Sequence, residues 1–184
     1  MKKVNFPIGA AVLAIAGLGV TPLIGAADSA AVQKMHGYHD AMKTLQGAII
    51  AGKLDAARQP ATYLLENLDS AGLPAAGSEF VDAVHTAAQA VIAADSLEAA
   101  AEATSQMGLA CGSCHTASGV TVEFDDVDRP SDKEKEKPHM QRHQWAADRM
   151  WEGLIGPSGV AFSRGANLLF ESPVKPEVLA KHGG

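Results

Sequence analysis

The chain has 184 residues, with 15 Lys or Arg against 21 Asp or Glu, a formal charge of −6, and two cysteines. An acidic balance argues against a nucleic-acid binder, which needs clustered Lys and Arg to meet phosphates. Aromatic residues are 5% of the sequence and Ala is abundant, so close-packed helices are favoured over a sheet built on β-branched and aromatic side chains.

Residues 1–27 read as a secretory signal peptide. Lys2 and Lys3 make a basic start, Ile8 to Val20 is an apolar run, and Gly25-Ala26-Ala27 supplies small residues for cleavage. The run is shorter than the roughly 20 residues of a bilayer span; an uncleaved anchor is the rival reading. No Cys lies at the cleavage point, so a lipid-modified N-terminus is not indicated. Cleavage removes two Lys and no acid, leaving 157 residues, 13 basic and 21 acidic side chains and a formal charge of −8. That length suffices for one domain with a core. The acidic surface suits steering toward a basic partner patch.

Asp28 or Ser29 can cap a first helix running to about Ala51 and stopped by Gly52. Val32, Met35, His39, Met42, Gln46 and Ile49 recur every three or four residues, the spacing of an inward seam. A second helix is expected over Leu54–Asn67, and Ala71-Gly72-Leu73-Pro74 makes a connection. Ser78 can cap a third helix, with Phe80, Val81, Val84, Ala88 and Val91 or Ile92 on one face. Asp95 and Glu98 have capping-box spacing for a fourth, which carries Leu97, Ala101, Thr104, Met107 and Leu109 inward and stops near Gly119. Four helices with short connections pack most economically as an antiparallel four-helix bundle over residues 28–119.

The fourth helix ends in Cys111-Gly112-Ser113-Cys114-His115. This C-x-x-C-H run has the spacing of a c-type haem attachment site. Two thiols one helical turn apart can each add across a vinyl group of one haem, and the adjoining imidazole can then serve as proximal iron ligand. Rival readings are a redox dithiol, which wants a strand–helix context, a disulfide permitted by export, and a Cys2His2 zinc site completed by His139 and His143. The gap to that histidine pair is much longer than the roughly 12–15 residues of a zinc finger, and His115 would be idle.

Residues 120–138 hold mixed charges, from Asp125-Asp126 to Lys133-Glu134-Lys135-Glu136-Lys137, and read as a solvated, flexible loop. Residues 139–184 read as a C-terminal helical extension of two or three helices packed on the same domain. Pro138 suits the first turn of one helix, which holds His139, Met140, Arg142, His143, Trp145, Met150 and Trp151 and ends near Gly153 or Gly156. Pro157 and Ser158 open another, with Val160, Phe162, Leu168 and Leu169. Trp145 and Trp151 either pack this extension on the bundle or wall a haem and control solvent access.

The run of helices ending in Ala110-Cys111-Gly112-Ser113-Cys114-His115 resembles class II cytochromes c, the cytochrome c′ group, over roughly residues 30–117. The resemblance implies an all-α periplasmic haem protein of a bacterium, working in electron transfer or small-gas binding. It implies one covalent haem c, with Cys111 and Cys114 as thioether attachments and His115 as axial ligand. It also implies that the first helix faces the distal side of the haem. The chain departs from the group by continuing 69 residues beyond the motif.

For the sixth iron position His39 is the first choice, as a seam histidine in need of a polar partner. Met35, His36 and, from the extension, His143 are the other candidates. Arg142 and His139 are candidates to neutralise haem propionates. His85 and His182 carry no assigned role. The leading expectation is a monohaem electron carrier meeting redox partner proteins of the periplasm, with no membrane span after signal cleavage. A five-coordinate protein that binds or senses nitric oxide or carbon monoxide is the alternative. A peroxidase using His39 or His143 as distal acid–base group, or a zinc protein, ranks lower. A homodimer and a place in a larger complex both stay open.

Overall fold

The computed structural model describes residues 29–131 and 136–171, with isolated positions 173, 176–177 and 180. The expected signal peptide, the Asp28 cap and His182 lie outside the described residues, and of a third added helix only positions 176–177 and 180, which are helical, are described. Among those residues the chain is all-helical, with no strand. Seven helices follow in order: α1 (Ser29–Ile50), α2 (Leu54–Asn67), α3 (Ala75–Ser78), α4 (Val81–Ala93), α5 (Leu97–Ala117), α6 (Glu136–Ile155) and α7 (Gly159–Glu171). None is long and apolar enough to cross a membrane.

Two helix stops fix the chain's path. At the end of α1, Gly52 has φ +71°, its N–H donates to Ile49 O, and the Lys53 N–H donates to Ala48 O. The end of α5 repeats this. Gly119 has φ +64°, its N–H donates to Thr116 O, and the Val120 N–H donates to His115 O. Both are Schellman stops, in which a left-handed residue turns the chain back to cover orphan carbonyls; glycine adopts that φ without a Cβ penalty. The second stop lies at the C-x-x-C-H run and fixes the helix end there.

Helices α1, α2, α4 and α5 surround one core. Each packs on the next in this order, and α1 also packs on α5. Leu45, Leu64, Ala57, Ala61, Ala88, Val91 and Met107 form the sealed centre. The many alanines let the backbones approach closely, while each sealed large side chain contributes roughly 1.5–3 kcal/mol from leaving water.

The inward face of α1 differs from the expected one. Tyr38, Ala41, Met42, Leu45 and Ala48 are buried, whereas Val32 is exposed and Met35, His39, Gln46 and Ile49 are half-buried. The seam is turned by about one residue, because a line through Tyr38 and Leu45 buries more apolar surface than one carrying His39 and Gln46. In α5 the small residues Ala100, Ala103 and Ala110 point inward with Thr104 and Met107, and Leu97 and Leu109 are exposed. Ser78 does not cap α4; it closes the short α3, its hydroxyl donating to Ala75 O. Nor does the Asp95–Glu98 pair start α5. Ser96, in extended backbone, is the N-cap and its Oγ accepts from the Ala99 N–H, the usual role of Ser there.

Helices α6 and α7 form a hairpin, capped at the start of α7 by Ser158 Oγ accepting from the Ala161 N–H. It has a small core of Trp145, Ala146 and Leu168 with Leu169 against it, and α6 packs on α5. Residues 120–131 have no regular secondary structure and are tied to this hairpin. Trp145 Nε1 donates to Val127 O at 2.9 Å and Arg149 Nη1 to Asp125 O at 3.1 Å. Arg129 pairs with Glu171 at 2.9 Å.

Candidate functional site

Cys111, Cys114 and His115 occupy the last turns of α5, and both cysteines are free thiols. At about 100° per residue the two thiols share the side of α5 that faces the core and α3. Cys111 packs against the main core cluster; burial pushes its thiol up to about 12, with Cys114 adding a smaller push. Cys114 lies over α3, where a Cβ on Gly77 would come within 2.7 Å of its Sγ. The bare glycine at that point makes room for the sulfur.

His115 turns toward the end of α6. Its Nδ1 lies 2.7 Å from Ile155 O. A carbonyl can only accept, so Nδ1 carries the proton, and in the neutral ring Nε2 holds the lone pair. This is the tautomer of a histidine ready to bind a metal through Nε2, with its other nitrogen oriented by a carbonyl. The donor set thus fits a c-type haem: two thiols a turn apart and an oriented imidazole beside the second.

The first-helix candidates lie against different neighbours. Met35 borders the Asp69–Leu73 connection, beside Lys34 and Tyr38. Met35 is half-buried and packs against the same core cluster as Cys111. His39 lies toward the end of α6: its ring centroid is 5.7 Å from that of Phe124, the ring a Cβ on Gly156 would run into, and burial is the main influence lowering its pKa, against the weaker pull of Asp40. His36 is exposed.

The candidates from the extension stand away from His115. Ile155 touches His115 directly, and along the same helix His143, Arg142 and His139 are about 18, 20 and 24 Å back from Ile155 at 1.5 Å per residue. His143 therefore cannot bind an iron held by His115, and Arg142 and His139 are not beside that imidazole. The same separation keeps the four members of the Cys2His2 set apart, because zinc ligation needs all four at about 2.0–2.3 Å. Among the described residues no three His, Cys, Asp or Glu side chains gather to hold a metal ion. His139 and His143 instead lie ring to ring at 4.3 Å, and His85 Nε2 meets Leu68 O at 2.7 Å.

The two tryptophans have different surroundings. Trp145 belongs to the hairpin core, while Trp151 packs on Gly108 and the main core, one turn before Cys111. Arg149, which the sequence reading passed over, lies buried between the Trp145 ring, Glu152 and Asp125 O. Only the i, i+4 spacing with Trp145 and the i, i+3 spacing with Glu152 could have pointed to it. An apolar cleft of about 410 Å³ also borders α5, lined by Leu109, Gly112, Ser113, Thr116, Phe80 and Leu154, among others. It opens on the opposite side of the helix from the two thiols, so it is not the space a ring joined to both sulfurs would fill. Comparison with protein-family models, with curated proteins and with solved structures finds no match to this chain, and its functional reading rests on its own residues.

Proposed function

We propose that this chain is a periplasmic monohaem c-type cytochrome that transfers electrons, its haem joined to Cys111 and Cys114 and ligated by His115. In this reading α1, α2, α4 and α5 are a four-helix bundle of the class II kind, to which the α6–α7 hairpin is an addition. One observation carries it. The imidazole that ends the C-x-x-C-H run has its Nδ1 proton committed to Ile155 O, which leaves Nε2 to a metal.

The haem would supply one-electron chemistry at its iron. The chain's own part is to hold and shield it. Cys111 and Cys114 anchor the ring at two points, and His115 is oriented by α6. The helices around Met107 and Trp151 keep water from that side. His39 stays the first choice for the sixth position, because its neighbour Phe124 packs on Gly156, next to Ile155; a Met35 thioether there would raise the potential relative to imidazole. The acidic surface favours a redox partner with a basic patch.

The test is to produce the chain with cytochrome maturation machinery, then record its mass, visible absorbance and ferric electron paramagnetic resonance. One added haem, a Soret band and low-spin iron are expected. High-spin iron with rapid carbon monoxide binding in the reduced protein would select the gas-binding alternative. A mass equal to the polypeptide alone, with no Soret band, would overturn the haem reading.

A further inference from the structure

The C-terminal hairpin ends its first helix on the imidazole of the C-x-x-C-H run. Helix α6 reaches α5 over two glycines one turn apart. A Cβ on Gly108 would meet Leu154 Cδ2 at 2.9 Å and the Trp151 ring at 3.0 Å, and one on Gly112 would run into the Leu154 carbonyl oxygen. This close approach brings Ile155 O to 2.7 Å from His115 Nδ1. Ile155 is the last residue of α6, so its carbonyl is one of those a helix leaves without an internal partner. It also stands at the negative end of a 20-residue helix dipole. The imidazole therefore donates its Nδ1 proton to a carbonyl at the negative end of a helix.

We propose that the α6–α7 hairpin is a positioning element for His115: its docking sets how strongly the imidazole donates to a haem iron, and the iron's oxidation state in turn sets how tightly the hairpin docks. This rests on the haem reading above. A hydrogen bond from the outer nitrogen to a carbonyl makes the ligating nitrogen more basic. A more basic ligand favours the ferric form, which has one positive charge more than the ferrous form; reduction by one electron removes that charge. Docking therefore lowers the reduction potential. By reciprocity, whatever factor docking contributes to ferric over ferrous, oxidation contributes equally to docked over undocked.

The experiment is a potentiometric titration of the full haem-loaded chain and of three single variants. Gly112→Ala places its methyl against the Leu154 carbonyl. Gly108→Ala presses on Leu154 and Trp151 from outside the motif, and so carries the measurement if the first variant loads haem poorly. Gly47→Ala, with nothing within 4 Å of the added carbon, is the control. Both hairpin variants should raise the potential and the control should leave it in place. A tenfold loss of the ferric preference reads as about 59 mV for one electron. Hydrogen exchange at the Gly156 and Ser158 amides should be slower in the ferric than in the ferrous wild-type protein. Unchanged potentials in haem-loaded Gly112→Ala and Gly108→Ala, with equal exchange in both oxidation states, would overturn the hairpin's role and leave the haem reading standing. A wild-type chain that takes no haem would overturn both.

Discussion

The Cys111 thiol offers a measurement that needs no haem. In the chain made without maturation machinery and carrying Cys114→Ser, Cys111 is the one remaining thiol. Burial is the main influence that raises its pKa from 9.0 to about 12, and the smaller push from Cys114 is absent in this variant. Only the thiolate reacts with an alkylating agent. At pH 8 about one thiol in ten is ionised at 9.0 and about one in ten thousand at 12, so the shift slows reaction by up to about a thousandfold. The assay is iodoacetamide labelling followed by mass spectrometry, in buffer and in denaturing urea. The native rate should be on the order of a hundredfold or more below the urea rate, and it should keep rising with pH past 9.0, where the unfolded thiol levels off. A native rate within about tenfold of the urea rate would refute the perturbation of the Cys111 thiol by its half-buried setting.

In the haem-loaded protein, His39→Leu should convert low-spin ferric iron to high-spin, whereas Met35→Leu should leave the spin state unchanged; ferric spectra check this. The haem-free chain should show two opposed pH effects, read from urea midpoints. Burial lowers the His39 pKa, so the unfolded chain binds more protons just below the ordinary His value of 6.5, and stability rises with pH through that window; His39→Asn should flatten the rise. Burial raises the Glu152 pKa above 4.5, so the folded chain binds more protons just above that value and stability falls as pH rises there; Glu152→Gln should remove this fall. Leu168 is sealed between α6 and α7, and Leu168→Ala should cost about 2–5 kcal/mol of hairpin stability, seen as loss of exchange protection in α6 and α7 ahead of α1–α5.

Much of the helical layout is legible from local signals. The Gly52 and Gly119 stops, the limits of α2, and the Ser158 cap each depend on a few neighbouring residues whose backbone preferences act alone. The C-x-x-C-H run is legible for the same reason, since its chemistry lies within one turn and a half of helix. Which side of each helix faces inward was harder to read. On α1 the two apolar lines, one through His39 and Gln46 and one through Tyr38 and Leu45, have the same period. Only the neighbours on α2 and α5 choose between them.

Neighbours and direction belong wholly to the packed molecule. That Met35 borders the Asp69–Leu73 connection while His39 meets Phe124 depends on how α1 lies against its neighbours, and no spacing within α1 contains it. The separation of His139, Arg142 and His143 from His115 follows from α6 running beside α5 with its last residue, not its first, at the imidazole. By itself the sequence determined the helices, their stops and the five residues of the C-x-x-C-H run, because those are decided over one or two turns of chain. The tertiary structure decided which histidine is oriented, what orients it and which candidates stand out of reach, because those depend on contacts 40 or more residues apart in sequence, such as His115 with Ile155.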